Sequence, residues 1–114
     1  MAERITVVVD PDLEPIIPRY LEIRRKELAE LQAALAAGDR EAARMLGHRL
    51  KGSGASYGLE ELTRLGAAIE DAALDGDMDA AGARTDEVAH YLEHLDVVYG
   101  EVGGEVGGEV GGEG

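Results

Sequence analysis

Twice along this chain the same two residues end one helix and begin another: Gly38-Asp39 and Gly76-Asp77. Glycine closes a helix in the left-handed conformation without a Cβ clash, and aspartate caps the next helix by accepting from its free amide groups. The flanking segments match in pattern, Leu35 to Ala43 against Leu74 to Ala81. Such short connectors place neighbouring helices antiparallel. Apolar periodicity fills in the rest. A first helix is expected from about Ile16 to Ala37, with Ile17, Tyr20, Leu21, Leu28, Leu31 and Leu35 in one stripe. A second runs from about Arg40 to Ser56 and a third from near Gly58 to Leu74, the latter with Leu62, Leu65, Ile69 and Ala73 inward. A fourth reaches about Tyr99, aligning Val88, Leu92, Leu95 and Tyr99. The expected fold is all-α, an antiparallel up-down-up-down four-helix bundle over residues 13–99. A helical-repeat array would need ~3 or more units to bury its faces, and at most two are visible.

The two ends differ from this middle. Residues 1–12 hold the β-branched run Ile5-Thr6-Val7-Val8-Val9, closed by Asp10-Pro11. With no second strand signal after it, the run is expected as an extended arm outside any sheet. Residues 100–114 repeat Gly-Glu-Val-Gly and offer only one valine per repeat to bury, so a disordered, low-complexity tail is expected.

Composition removes several function classes. There is no Cys among the 114 residues, so disulfides, zinc knuckles and Cys nucleophiles are excluded. Four Tyr are the only aromatics and the net charge is -13, which disfavours base stacking and phosphate-backbone binding, hence nucleic acid. No apolar run approaches the ~18 residues of a membrane span, and the N-terminus lacks a secretory pattern, so a soluble cytoplasmic protein without a membrane partner is expected, and a monomer because the four apolar stripes can satisfy one another. No Gly-rich nucleotide loop follows a strand, so the chain is not expected to be an ATP-dependent kinase.

Of the three histidines, His48, His90 and His94, only His48 sits among cations. On a helical wheel it points away from the inward side of the second helix, formed by Ala42, Ala43, Leu46, Leu50, Ser53 and Tyr57. Arg44 lies one turn before it, Lys51 three residues on and Gly52 four on, with Ala55 on the same face. Neighbouring cations favour a neutral, nucleophilic imidazole and would stabilise an anion attached to it, which suits phosphorylation of the ring. The bland alternative is a solvated surface histidine. The same helix carries Gly47, Gly52 and Gly54 although each mid-helix glycine costs about 1 kcal/mol. Close helix packing accounts for Gly47 or Gly54. Gly52 projects to solvent, where something else must approach the backbone.

The run Gly47-His48-Arg49-Leu50-Lys51-Gly52-Ser53-Gly54, continuing through Gly58 into an apolar stretch, resembles the phosphorylation motif of histidine-containing phosphotransfer (HPt) domains. Their pattern is roughly Ala-His-x-Leu-Lys-Gly-Ser-Ser. Gly47 and Gly54 replace one small residue with another, and Ile69-Glu70 sits where the family has an apolar-Glu pair. The resemblance covers about residues 13–99. It implies a phosphohistidine carrier in a His-Asp phosphorelay, taking a phosphoryl group from a receiver-domain aspartyl phosphate and passing it to another receiver. His48 would carry the group, with Lys51 near its oxygens, Arg44 in support, and Gly52 and Ala55 where the partner docks. Partners would be receiver domains and a hybrid histidine kinase. No metal ligand or cofactor is expected on this chain, because Mg²⁺ belongs to the receiver. An alternative is a phosphoacceptor loaded by a separate, chemotaxis-type kinase chain; a more distant one is a non-signalling helical scaffold. Charge distribution agrees with the carrier. Residues 19–51 hold eight Lys/Arg and five Asp/Glu, whereas residues 52–114 hold two and fifteen, so the His48 region is the least negative and would steer an acidic pocket toward it.

Two further features invite a reading. His90-Tyr91-Leu92-Glu93-His94 fits an H-x-x-E-H zinc-protease pattern. That face is outward and no third ligand is spaced to join it, so solvated helix surface is expected. Arg24 lies in the apolar stripe of the first helix and is expected either to snorkel at its edge or to pair with Glu70 on a facing helix.

Overall fold

The structure, a computed structural model, describes residues 4–100. Four helices carry most of them: α1 (Ile17–Ala37), α2 (Arg40–Gly54), α3 (Glu60–Leu74) and α4 (Met78–His94). The two stop-and-start signals act as their chemistry requires. Gly38 and Gly76 adopt φ of 69° and 77°. The Asp39 carboxylate accepts from the Ala42 amide at 3.1 Å and that of Asp77 from the Ala80 amide at 3.0 Å. Arg40, just inside α2, also donates to the terminal carbonyls of Ala73 and Leu74, placing a cation at the negative end of α3. Gly58, φ 79°, ends a short 3-10 turn (Ala55–Tyr57) that bends the chain from α2 into α3.

The helices close around one core. α1 packs on α2 and α4, α3 packs on α2 and α4, and the α2–α3 contact is the most extensive. Ile17, Leu31, Leu50, Leu62, Leu65, Ile69 and Val88 are buried at its centre. The inward positions expected from the 3.6-residue period are buried or half-buried here, although Leu95 and Tyr99 lie in a strand rather than on the fourth helix. No helix among the described residues is long and apolar enough to cross a membrane.

Both ends of the bundle depart from expectation. Ile5–Val9 is not a free arm but a strand, β1, and the fourth helix does not reach Tyr99. It stops at His94, Leu95 turns to φ -69°, ψ 131°, and Leu95–Tyr99 forms β2. The two strands pair in parallel, Ile5 with Leu95 through Val9 with Tyr99. The physical reason lies in Asp96-Val97-Val98-Tyr99, a β-branched and aromatic run that is a poor continuation of a helix. A parallel pair needs a long crossover, and the whole four-helix segment supplies it. Val9 is fully buried against the core, 0 % exposed, whereas Val8 is 44 % exposed. From residue 101 on, the expected Gly-Glu-Val-Gly tail lies outside the described residues, as do residues 1–3.

This clasp makes a stability prediction. Val9→Ala removes two buried methyl groups and is expected to cost about 2 kcal/mol, a fall of about 10 °C in Tm. Val8→Ala should stay within about 0.5 kcal/mol of the parent. Equal, small effects in thermal melts would mean that residues 5–9 do not pack on the core.

Candidate functional site

The site is built where α2 and α3 touch backbone to backbone. A Cβ on Gly47 would stand 2.8 Å from the Glu70 amide nitrogen and 3.0 Å from the Gly66 carbonyl. One on Gly54 would meet the Thr63 amide at 2.6 Å, and one on Gly66 would collide with the Lys51 nitrogen. Only glycines permit this approach, which accounts for both Gly47 and Gly54. By contrast, nothing lies within 4 Å of a Cβ built on Gly52. That glycine faces open space, as its position on the wheel predicts.

The close contact brings the Glu70 side chain, 12 % exposed, beneath two residues of α2. Its Oε2 lies 3.0 Å from His48 Nδ1, and its Oε1 lies 3.0 Å from Lys51 Nζ. The Lys51 ammonium, and secondarily His48, hold the Glu70 carboxyl below the usual carboxylate range against the opposing effect of burial. Glu70 is therefore an anion, and a carboxylate only accepts hydrogen bonds. Nδ1 of His48 must carry the proton it donates. In the neutral ring the lone pair then resides on Nε2, on the far side of the imidazole. With its side chain 61 % exposed, His48 presents that nitrogen to solvent.

The other residues singled out by sequence fall around this centre. Arg44 bonds Glu41 one turn earlier, Nε at 3.1 Å and Nη2 at 2.5 Å. The cations flanking His48 thus each hold a carboxylate of their own rather than standing free. Ala55 is exposed at the end of α2, and its amide donates to Thr63 Oγ1 at 2.7 Å. Arg24 does not pair with Glu70. Its Nε meets Glu27 Oε1 on its own helix at 3.1 Å, and its Nη1 donates to Ser53 Oγ at 2.6 Å. The three-residue spacing from Arg24 to Glu27 is the short-range alternative that a facing helix had to beat. Tyr20 OH meets the same Ser53 hydroxyl at 3.1 Å, and its ring stacks on Tyr57 at 4.1 Å, so α1 is tied to the end of α2 beside Gly52. The His90 and His94 rings lie 4.3 Å apart, tilted by 34°, and His94 Nδ1 lies 2.9 Å from the His90 carbonyl oxygen. Among the described residues no group of three or more His, Cys, Asp or Glu is placed to hold a metal ion.

One residue of this contact carried a signal that sequence reasoning passed over. Gly66 is a mid-helix glycine among inward Leu62, Leu65 and Ile69, the same mark that singled out Gly47. Glu70 stood out in the sequence through the family's apolar-Glu pair and as a candidate partner for Arg24, and the structure pairs it with His48 and Lys51 instead.

The site is thus an exposed imidazole on a helical bundle, held by a buried carboxylate and neighboured by a lysine and an open glycine. A scan against protein-family models matches the Hpt domain over residues 19–97, well over half of the chain. The chain belongs to the Hpt domain family. Members of this family are phosphocarriers of phosphorelay, two-component signalling rather than kinases, and they interact with receiver domains and histidine kinases. Comparison with curated proteins and with solved structures gives no match in either case.

The α2–α3 contact and the buried carboxylate each predict a measurement. Gly47→Ala gains about 1 kcal/mol of helix propensity but forces backbone atoms apart, so a net loss of about 1–2 kcal/mol is expected. Gly52→Ala should gain up to about 1 kcal/mol, because its Cβ enters open space. Thermal melts that rank the two variants the other way would refute the close contact. For Glu70 the folded pKa is depressed, so its contribution to stability is present above the unfolded value near 4.5 and is lost as pH falls through the folded value. Denaturant titrations of Glu70→Gln should accordingly show a flatter acid limb than the parent below about pH 4.5. Parallel acid limbs would contradict the pairing of Glu70 with Lys51 and His48.

Proposed function

We propose that His48 is the phosphorylated residue and that the chain relays a phosphoryl group between receiver-domain aspartates. The observation that carries this reading is the Nδ1 contact to Glu70, which leaves Nε2 as the free nucleophile on the exposed side. In the transfer, the Nε2 lone pair attacks phosphorus in line with the bond to the aspartyl oxygen. The N–P bond forms as the P–O bond breaks, and the aspartate leaves as a carboxylate with the bonding electrons. Nδ1 keeps its proton throughout, so the ring becomes cationic. Glu70, already ionised, stabilises that developing charge as the buried carboxylate of a catalytic triad stabilises its imidazolium.

Lys51 is one turn along α2 and within reach of the phosphoryl oxygens, where its charge offsets theirs. Arg44 adds a more distant positive charge. Gly52 and Ala55 leave a low surface over which a receiver loop can come within attack distance, about 3–3.5 Å. The Mg²⁺ of the transfer is supplied by the receiver, so nothing on this chain need hold a metal or cofactor. The same geometry serves an acceptor loaded by a separate histidine kinase. We further infer that the helices alternate in direction, given the short connectors at Gly38-Asp39 and Asp75-Gly76-Asp77, and that the protein works as a cytoplasmic monomer.

Phosphorylated receivers carrying labelled phosphate provide the test. His48→Gln should abolish acid-labile label on this chain, while the double variant His90→Gln, His94→Gln should keep it. Label that survives in His48→Gln would sink the assignment. Gly52→Gln should melt at or above the parent temperature, since glutamine is a good helix former, yet transfer far more slowly because its side chain stands in the receiver's path. A destabilised Gly52→Gln that still transfers at the parent rate would rule out docking at Gly52.

A further inference from the structure

A second surface lies on the far edge of the strand clasp. β1 pairs only with β2 among the described residues. The Gly100 amide donates to the Val9 carbonyl at 3.1 Å, which fixes the phase of the ladder: Ile5, Val7 and Val9 turn their backbone groups toward β2. Thr6 and Val8 turn theirs to the unpaired side. Such an edge is a template for another strand.

That edge borders a groove. Two adjoining cavities, about 430 and about 270 Å³, share Ile5, Glu61 and Tyr91, and neither is lined by any residue of β2. They therefore lie on the unpaired side of β1. Ile5, Val7 and Tyr91 give the groove an apolar floor. Tyr91 is 5 % exposed, and its hydroxyl has no hydrogen-bond partner among the described residues. Burial, with Glu61 nearby, pushes that hydroxyl up to about 12, so it stays a neutral donor. The rim carries four carboxylates, Glu60, Glu61, Asp86 and Glu87, together with the His90 ring. Arg64 and Arg84 occupy Glu61 and Glu87 in ion pairs. Glu60 and Asp86 have no cation of their own among the described residues.

We propose that this groove binds a basic, extended segment of a partner protein, which adds to β1 as a third strand. Main-chain bonds to Thr6 and Val8 supply the pairing, alternate apolar side chains fill the floor, and the Tyr91 hydroxyl donates to a carbonyl of the incoming chain. Lysine or arginine on the segment meets Glu60 and Asp86. Charge selects against two other occupants. A second copy of this chain brings a net -13, and the chain's own Gly-Glu-Val-Gly tail brings further carboxylates. This surface is independent of His48 and does not rest on the phosphotransfer reading.

The test titrates the full-length protein with a labelled heptapeptide, Lys-Thr-Val-Thr-Val-Thr-Lys, whose valines and flanking lysines share one face of a strand, following backbone amide shifts. Saturable binding is expected, with shifts centred on Thr6, Val8 and Tyr91. The double variant Glu60→Gln, Asp86→Asn leaves the Arg64 and Arg84 pairs intact and should weaken binding about fivefold, the scale of two exposed charge contacts. N-methylation of alternate peptide residues, in both phases, should weaken it at least about tenfold in the phase that blocks the edge. Absence of binding at about 1 mM peptide would overturn the proposal. So would shifts spread over other acidic helix faces, or equal binding of both N-methylated peptides, since general electrostatic adhesion needs no strand edge.

Discussion

The backbone contact between α2 and α3 is the constraint on which the rest of this structure depends. Gly47, Gly54 and Gly66 each forgo helix propensity worth about 1 kcal/mol so that the two helices can meet without side chains between them. The return is position. With Gly47 pressed against the Glu70 amide, the adjacent His48 and the next turn's Lys51 overhang the Glu70 carboxylate. A methyl group at Gly47 would wedge the helices apart at the point where the imidazole is oriented. Packing and chemistry are thus set by the same few atoms.

One buried carboxylate then serves two purposes. In the structure Glu70 is ion-paired with Lys51 and contacts His48, which offsets the cost of removing its charge from water. On the proposed reading, a phosphoryl group on Nε2 would change the balance. The ring would gain positive charge and draw on Glu70 more strongly, while the phosphoryl oxygens would offer Lys51 a second anion. The flexible lysine stem lets the ammonium move between the two. Arg44 is less free to follow, being held by Glu41 in a two-point contact. On the other flank, Ser53 joins Arg24 and Tyr20 of α1 to α2, fixing the surface beside Gly52 over which a partner would approach.

Local chemistry carried most of this information, and non-local pairing carried what was missed. Gly38-Asp39 and Gly76-Asp77 marked helix ends because φ above zero and side-chain capping are properties of single residues. The inward stripes were legible because they repeat every 3.6 residues. His48, Lys51 and Gly52 stood out through motif and wheel position, and the structure brings the first two to one carboxylate. Glu70 itself was weighed only as a candidate partner for Arg24, since a wheel shows which face a residue occupies but not which helix meets it at which height. The strand clasp was invisible for a related reason. Leu95 and Tyr99 satisfy a helical period as well as a strand, and only the pairing with Ile5–Val9, some ninety residues away, decides between them.

The central claim is that Glu70 fixes the Nδ1 proton of His48 and so directs phosphorylation to Nε2. It is tested most directly by nuclear magnetic resonance on the phosphorylated protein with ¹⁵N-labelled histidine. The account predicts a single phosphohistidine, His48, whose ³¹P signal couples to Nε2 while Nδ1 retains a proton. Phosphorus bonded to Nδ1 of His48, or to either nitrogen of His90 or His94, would contradict it.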